Sequence, residues 1–332
     1  MTDKALKPGA KNLITDVEGI LVGNAVDEKV QTGVTVLRCA APFVSAVDVR
    51  GGAPGTRETD VLAPENLVGR TDAIVLTGGS VFGLAAADGA ASALSVDGVG
   101  LRLSGKGPAI PIVPAAVLHD LGNDGDKNWG ETPPYRDLGM QAVRSAGADF
   151  ELGSVGAGRG AMAGLRKGGL GSASLVLEDG IKVGALVAAN PVGSVYTADG
   201  KAFLAWPYEL NGEFGGMTPP TTRENAEPFP DQARLAQRMQ AGANTTLAIV
   251  AVNADLTNIE AKRVAMMAHD GIARAVRPAH TAFDGDIVFA VATAARKLSD
   301  DPLHRHGQVA RIGAAASDCL TRAIARAVYE AR

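Results

Sequence analysis

Residues 172–193, SASLVLEDGIKVGALVAANPVG, restrict the fold more than any other stretch of the chain. Two apolar runs are joined by Glu178-Asp179-Gly180, and an Asp-Gly pair at such a junction signals a tight hairpin, because both residues accept the positive φ that the turn demands. The antiparallel pairing this implies argues against a purely parallel dinucleotide-binding sheet. Elsewhere, short apolar runs alternate with segments of helical period. GILVGNAV (19–26), GVTVLRC (33–39), DAIVLTGGS (72–80), AIPIVPAAVLHDL (109–121) and DIVFAVAT (286–293) read as strands. VFGLAAADGAASAL (81–94), DLGMQAVRSAG (137–147), DQARLAQRMQ (231–240) and HGQVARIGAAASDCLTRAIARAVYEA (306–331) read as helices. A further helix opens at the capping box Thr257-x-x-Glu260 and runs to about Val276. Strands stacked face to face with helices outside give an α/β fold of four layers, an α/β/β/α sandwich.

Composition matters mainly for what it excludes. Glycine supplies 41 of 332 residues, well above the usual share of roughly 7%, so tight turns and close backbone approaches are expected. A net charge of −4 points to neither nucleic acid nor a membrane surface as partner. The two cysteines, Cys39 and Cys319, offer no disulfide framework and no paired metal spacing. The amino-terminal stretch has no apolar core of a secretion signal, and the longest apolar runs are too short to span a bilayer. A soluble, cytoplasmic protein is expected.

AGANTTLAIVAVN (241–253) places Thr245 and Thr246 at the mouth of an apolar strand. Taken alone, a threonine pair there is ordinary, since Thr favours strands. The chemical alternative is that scission of Asn244-Thr245 frees an α-amine, which titrates near 7.7–8 and can serve as base for the adjoining hydroxyl. Asp284 and Asp286 flank Gly285 at another strand entrance, where they either orient such an amine or form a common Asp-Gly turn. Calcium is set aside because IVFAV follows without oxygen ligands. The glycine-rich GAGRGAMAGLRKGGLGSAS (156–174) lacks the phosphate-loop arrangement, Lys167 being followed by Gly168. It reads instead as a loop whose amides and Lys167 line a pocket. Asn190, before Pro191, is either a turn residue or a donor to a developing oxyanion. His280, four residues before Asp284, is either a pocket residue or, more simply, a structural residue at a loop end. His304 and His306 have no third ligand at suitable spacing. No metal and no cofactor is expected.

Taken together with DVRGGAPGTRETDVL (48–62) and LTGGSVFGLAAADG (76–89), these stretches resemble the self-processing aminopeptidase family that includes L-aminopeptidase/D-Ala-esterases, β-peptidyl aminopeptidases and nylon-oligomer (6-aminohexanoate-oligomer) endo-hydrolases. The similarity runs from about residue 15 to 330. It implies one catalytic domain over 1–332, cut into 1–244 and 245–332, with both pieces kept in each protomer of a homo-oligomer of four or more. It also implies a threonine-nucleophile hydrolase of small peptides, amino-acid amides or esters, or oligoamides. Asp284 and Asp286 then support Thr245, while Lys167 and Asn190 match active-site residues of the nylon-oligomer branch. His119 stands where some relatives carry a pocket Tyr, and RGGAPGTRETD is closer to the aminopeptidase branch. Two further readings stay open at this level: an acyl transferase similar to ornithine acetyltransferase, and an uncut, non-catalytic oligomeric binding protein.

Overall fold

The computed structural model describes residues 6–103, 105–218, 228–231, 233 and 244–331. The helix expected over 231–240 lies, apart from Asp231 and Ala233, outside the described residues. In chain order the elements are β1 (Ile20–Asp27), β2 (Thr32–Val49), β3 (Thr56–Arg57), β4 (Arg70–Thr77), α1 (Ala85–Val96), β5 (Ala115–Val117), α2 (Tyr135–Arg144), β6 (Met162–Ala163), β7 (Arg166–Lys167), β8 (Gly169–Val176), β9 (Lys182–Asn190), β10 (Thr245–Ala254), α3 (Asn258–Ala275), β11 (Ile287–Arg296) and α4 (Pro302–Tyr329).

Nine of these strands form one hydrogen-bonded sheet in the order β3-β5-β4-β2-β11-β10-β9-β8, with β1 also paired to β2. Strand β2 is the reason one sheet makes two layers. Its first half pairs with β1 and β4, the register with β4 shifts between Arg38 and Phe43, and its second half pairs with β11. Pro42 lies in that shifted section, where residues 40–42 are exposed. An irregularity of this kind bends a strand and lets it pass from one layer to the next.

Period-2 alternation then sorts side chains between cores. Leu247, Ile249 and Ala251 of β10, with Ile287, Phe289 and Val291 of β11, meet Leu37, Ile74 and Leu76 of the other layer. Their intervening neighbours Ala248, Val250, Val288 and Ala290 pack against α3 and α4. On the opposite side Val34, Val36, Ala73 and Val75 pack against α1 and α2. The molecule is thus the expected α/β/β/α sandwich, with three apolar interfaces. Phe289 is fully buried in the central one, where truncation to Ala costs about 3–5 kcal/mol.

The β8–β9 hairpin forms as its sequence implies, with Gly180 at φ +76° in the turn. The capping box of α3 is complete. Two segments depart from expectation. Residues 109–121 yield only the three-residue β5, because Pro111 and Pro114 lack the amide hydrogens that a ladder needs. VFGLAAADGAASAL begins as a 3-10 turn over Ser80–Leu84 before α1 takes over.

Candidate active site

Thr245 is the first residue of β10 and only 2% exposed. Antiparallel register sets it opposite Asn190, the last residue of β9. Its hydroxyl donates to the Asn244 carbonyl oxygen at 2.5 Å. The same oxygen accepts the Gly285 amide hydrogen at an N···O distance of 2.9 Å. The carbonyl before Thr245 is therefore polarised by two donors, one of which is the Thr245 hydroxyl itself.

Gly285 can come this close only because it has no side chain. A Cβ there would lie 2.7 Å from Thr245 Oγ1 and 2.8 Å from the Ala53 carbonyl oxygen, distances that force a shift. Residues 50–53 hold this turn from behind. The Ala53 amide donates to the Asp284 carbonyl at 2.9 Å, and the Arg50 and Gly51 amides donate to the Asp286 carbonyl at 3.0 and 3.2 Å.

Both carboxylates are 1% exposed, and both bind neighbouring donors. Asp284 accepts Val192 N–H at 3.0 Å, Thr281 N–H at 3.0 Å and the Thr281 hydroxyl at 2.6 Å. Burial raises its pKa above the usual carboxylate range, the nearby Asp286 charge adds to this, and the donors oppose it. Asp286 accepts Thr246 N–H at 2.8 Å through one oxygen, and His280 N–H at 3.0 Å through the other. The pair thereby fixes Thr246 and the turn after Pro191.

Asn190 is fully buried. Its side-chain oxygen accepts Met162 N–H at 2.9 Å, and its amide nitrogen lies 3.5 Å from the His119 carbonyl. Met162 pairs in register with Lys167 across the β6–β7 hairpin. Lys167 itself is exposed there and is not among the residues that wall the cavity in front of Thr245. The glycine-rich segment is used mostly for packing: Ala157 and Ala161 enter the central core.

That cavity measures about 390 Å³ and is lined by residues 53–56, Ser80, Val81, Leu84, residues 117–119 and Thr245. His119 is in its wall, as expected from the sequence. Asp120, one residue on, carries no motif that marks it in the sequence, and it holds the loop that leads into Ser80 of the cavity wall. It accepts Gly79 N–H at 2.8 Å and the Thr32 hydroxyl at 2.6 Å, and burial pushes its pKa up. Gly79 has φ +86°, and a Cβ on it would collide with the Tyr135 ring, so the loop before Ser80 is fixed. Gly285, Thr281 and His280 were also not assigned to the site from sequence. The consecutive Gly51-Gly52 and Asp284-Gly285 were the only letters that hinted at the close approach.

The family model for peptidase family S58 matches residues 12–332. The chain belongs to peptidase family S58. Relatives within reach of alignment include an uncharacterized aminopeptidase of Mycobacterium leprae, 43% identical over 96% of this chain and 91% of its own length. A 6-aminohexanoate-oligomer endohydrolase of a Kocuria strain is 31% identical over 96% and 86%. Among solved structures, the L-aminopeptidase D-Ala-esterase/amidase of Ochrobactrum anthropi superposes with TM-score 0.69 at 21% identity, over 99% of this chain and 88% of that one. It is described as a variant of the Ntn hydrolase fold. This S58 chain has that fold and is a hydrolase of amide bonds. No helix among the described residues is long and apolar enough to cross a membrane.

Proposed function

We propose that the chain cuts itself between Asn244 and Thr245 and then hydrolyses small peptides or oligoamides with Thr245 as amino-terminal nucleophile. The observation that carries this reading is the doubly polarised Asn244 carbonyl, with Thr245 Oγ at 2.5 Å and Gly285 N–H at 2.9 Å. In the first step Thr245 Oγ adds to the Asn244 carbonyl carbon, the C–N bond breaks as the hydroxyl proton passes to the departing Thr245 nitrogen, and an ester joins Asn244 to Thr245 Oγ. Water then hydrolyses the ester, leaving a carboxylate at Asn244 and a free amine at Thr245. Gly285 N–H stabilises the oxyanion of this step, an effect worth about 3–4 kcal/mol for a well-placed donor.

In the mature protein the Thr245 amine takes the hydroxyl proton as the oxygen attacks a substrate amide, and returns it to the leaving amine. Water resolves the resulting acyl-enzyme. Asp286 steadies Thr246 while Asp284 holds the turn at Val192, so the new chain end stays in register with Asn190. Departure of Asn244 frees Gly285 N–H for the substrate carbonyl, with Asn190 beside it as second donor. No Asp, Glu, Lys or Arg lines the cavity, and Thr56, Ser80, His119 and Thr245 bring polar groups among its apolar residues, which suits an uncharged acyl segment. Relatives named aminopeptidase and 6-aminohexanoate-oligomer endohydrolase support these two substrate classes, and S58 membership favours water over an acceptor amine. Replacing Thr245 with Ala tests the assignment: the expected product is a single full-length band with no amidase activity, and a variant that still splits before residue 245 contradicts it.

A further inference from the structure

His280 is one of few non-glycine residues with a left-handed backbone, at φ +56°. That conformation crowds any side chain bearing a Cβ, and glycine would adopt it without strain. A strained residue beside a reactive centre needs a reason. Here the bent backbone turns two donors of one residue onto one oxygen. Asp286 Oδ2 accepts the His280 amide hydrogen at 3.0 Å and faces His280 Nδ1 at 2.8 Å. In the tautomer with the proton on Nδ1, the ring donates to the same oxygen as the amide does. The other oxygen of the same carboxylate accepts Thr246 N–H at 2.8 Å. The ring is thus two hydrogen bonds from the backbone of the residue that follows the nucleophile.

We infer that His280 is a positioning residue for Thr245: its imidazole N–H fixes the rotation of Asp286 and, through Thr246, the start of β10. This rests on the reading of Thr245 as nucleophile. The device matters most after scission, because Thr245 is then a chain end, and chain ends fray unless held. The ring edge-packs against buried His269, with centroids 5.0 Å apart, which sets its plane. Its outer side lines a cavity of about 400 Å³ bordered by Leu204, Arg274, Arg277 and Pro278. Removing the ring would extend this cavity toward Asp286 Oδ2, its present partner, on a side that Thr245 does not line.

The test uses full-length His280→Gly and His280→Asn proteins beside wild type, with two readouts. One is the rate at which the fragment starting at Thr245 forms. The other is turnover of alanine p-nitroanilide or a 6-aminohexanoate oligomer, whichever the wild type cleaves. Glycine suits the backbone and deletes the ring donor. The expected result is a folded His280→Gly protein whose scission or kcat drops by about tenfold or more with KM unchanged, as for other lost supporting hydrogen bonds. Added imidazole should restore much of the loss. Asn tolerates the same backbone and keeps a side-chain N–H, so His280→Asn should recover most of it too. A glycine variant that matches wild type overturns the inference, as does one that neither imidazole nor asparagine improves. If wild type itself never yields a Thr245 fragment, the nucleophile reading fails instead, and the two failures are separable.

Discussion

At the scale of single residues, the site is built from backbone groups as much as from side chains. Thr245, Asn190, Asp284 and Asp286 were legible as letters because hydroxyl, amide and carboxyl chemistry is written in the side chain. The Gly285 amide was not, since any residue has one and only the fold aims it at Asn244. Its glycine identity is nonetheless a constraint that can be tested. In Gly285→Ala the new methyl would fall 2.7 Å from Thr245 Oγ1, and a short, buried side chain on a strand has little room to yield. Displacing a reacting atom by about 1 Å costs on the order of 100-fold in rate. The variant should therefore fold yet cut itself roughly 100-fold more slowly, read as the intact fraction over time on a denaturing gel. Scission at the wild-type rate would show that the close approach is incidental.

At the scale of elements, hairpin β8–β9 and the cap of α3 were legible because their signals are local: Asp-Gly in a turn, Thr257 and Glu260 three residues apart. The second half of β2 was not. Ala40-Ala41-Pro42 interrupts the alternation, and only pairing with β11 makes residues 44–49 a strand. Helix α3 presses His269 onto that half, with Nε2 3.1 Å from the Asp48 carbonyl and the ring fully buried. Burial drives its pKa down to about 4 from 6.5, with the His280 ring contributing in the same direction. Below pH 6.5 the unfolded chain takes up a proton that the folded one refuses until about pH 4. Stability is thus fully present above 6.5 and falls across that window, by about 3 kcal/mol in all. Urea midpoints measured between pH 7 and 4 should show this decline in the wild type and a flatter profile in His269→Gln. Glu260, held down to about 2 from 4.5 by Arg305, keeps its full contribution above about pH 4.5 and loses it from there down to about pH 2. Parallel profiles for the two proteins would remove His269 as the cause.

At the scale of the whole molecule, the layer architecture followed from the alternation of strands and helices. The meeting of residues 50–53 with 281–286 did not, because no local pattern encodes a contact over that separation. The same global packing explains how a cut chain could stay together. Residues 245–332 contribute β10 and β11 to the middle of the sheet, between β9 and β2. They also contribute buried Arg322, which donates to both Glu213 oxygens at 2.5 and 2.9 Å, to the Ser174 carbonyl at 2.8 Å and to Asn12 Oδ1 at 2.8 Å. All three partners lie before residue 244. Arg322→Ala takes from buried Glu213 the guanidinium bonded to both its oxygens, leaving Arg326 Nε at 3.9 Å, and should cost on the order of 3 kcal/mol, seen as a lower unfolding midpoint and earlier separation of the two pieces in denaturant. An unchanged midpoint would mean that this cluster does not join them. The central claim, that backbone scission makes the base which the Thr245 hydroxyl needs, is tested most directly by amino-terminal sequencing and mass measurement of purified wild-type protein that hydrolyses an amide. The account predicts two fragments summing to 33.8 kDa plus one water, one of them beginning Thr-Thr-Leu. Amide hydrolysis by a preparation that contains only the intact chain would contradict it.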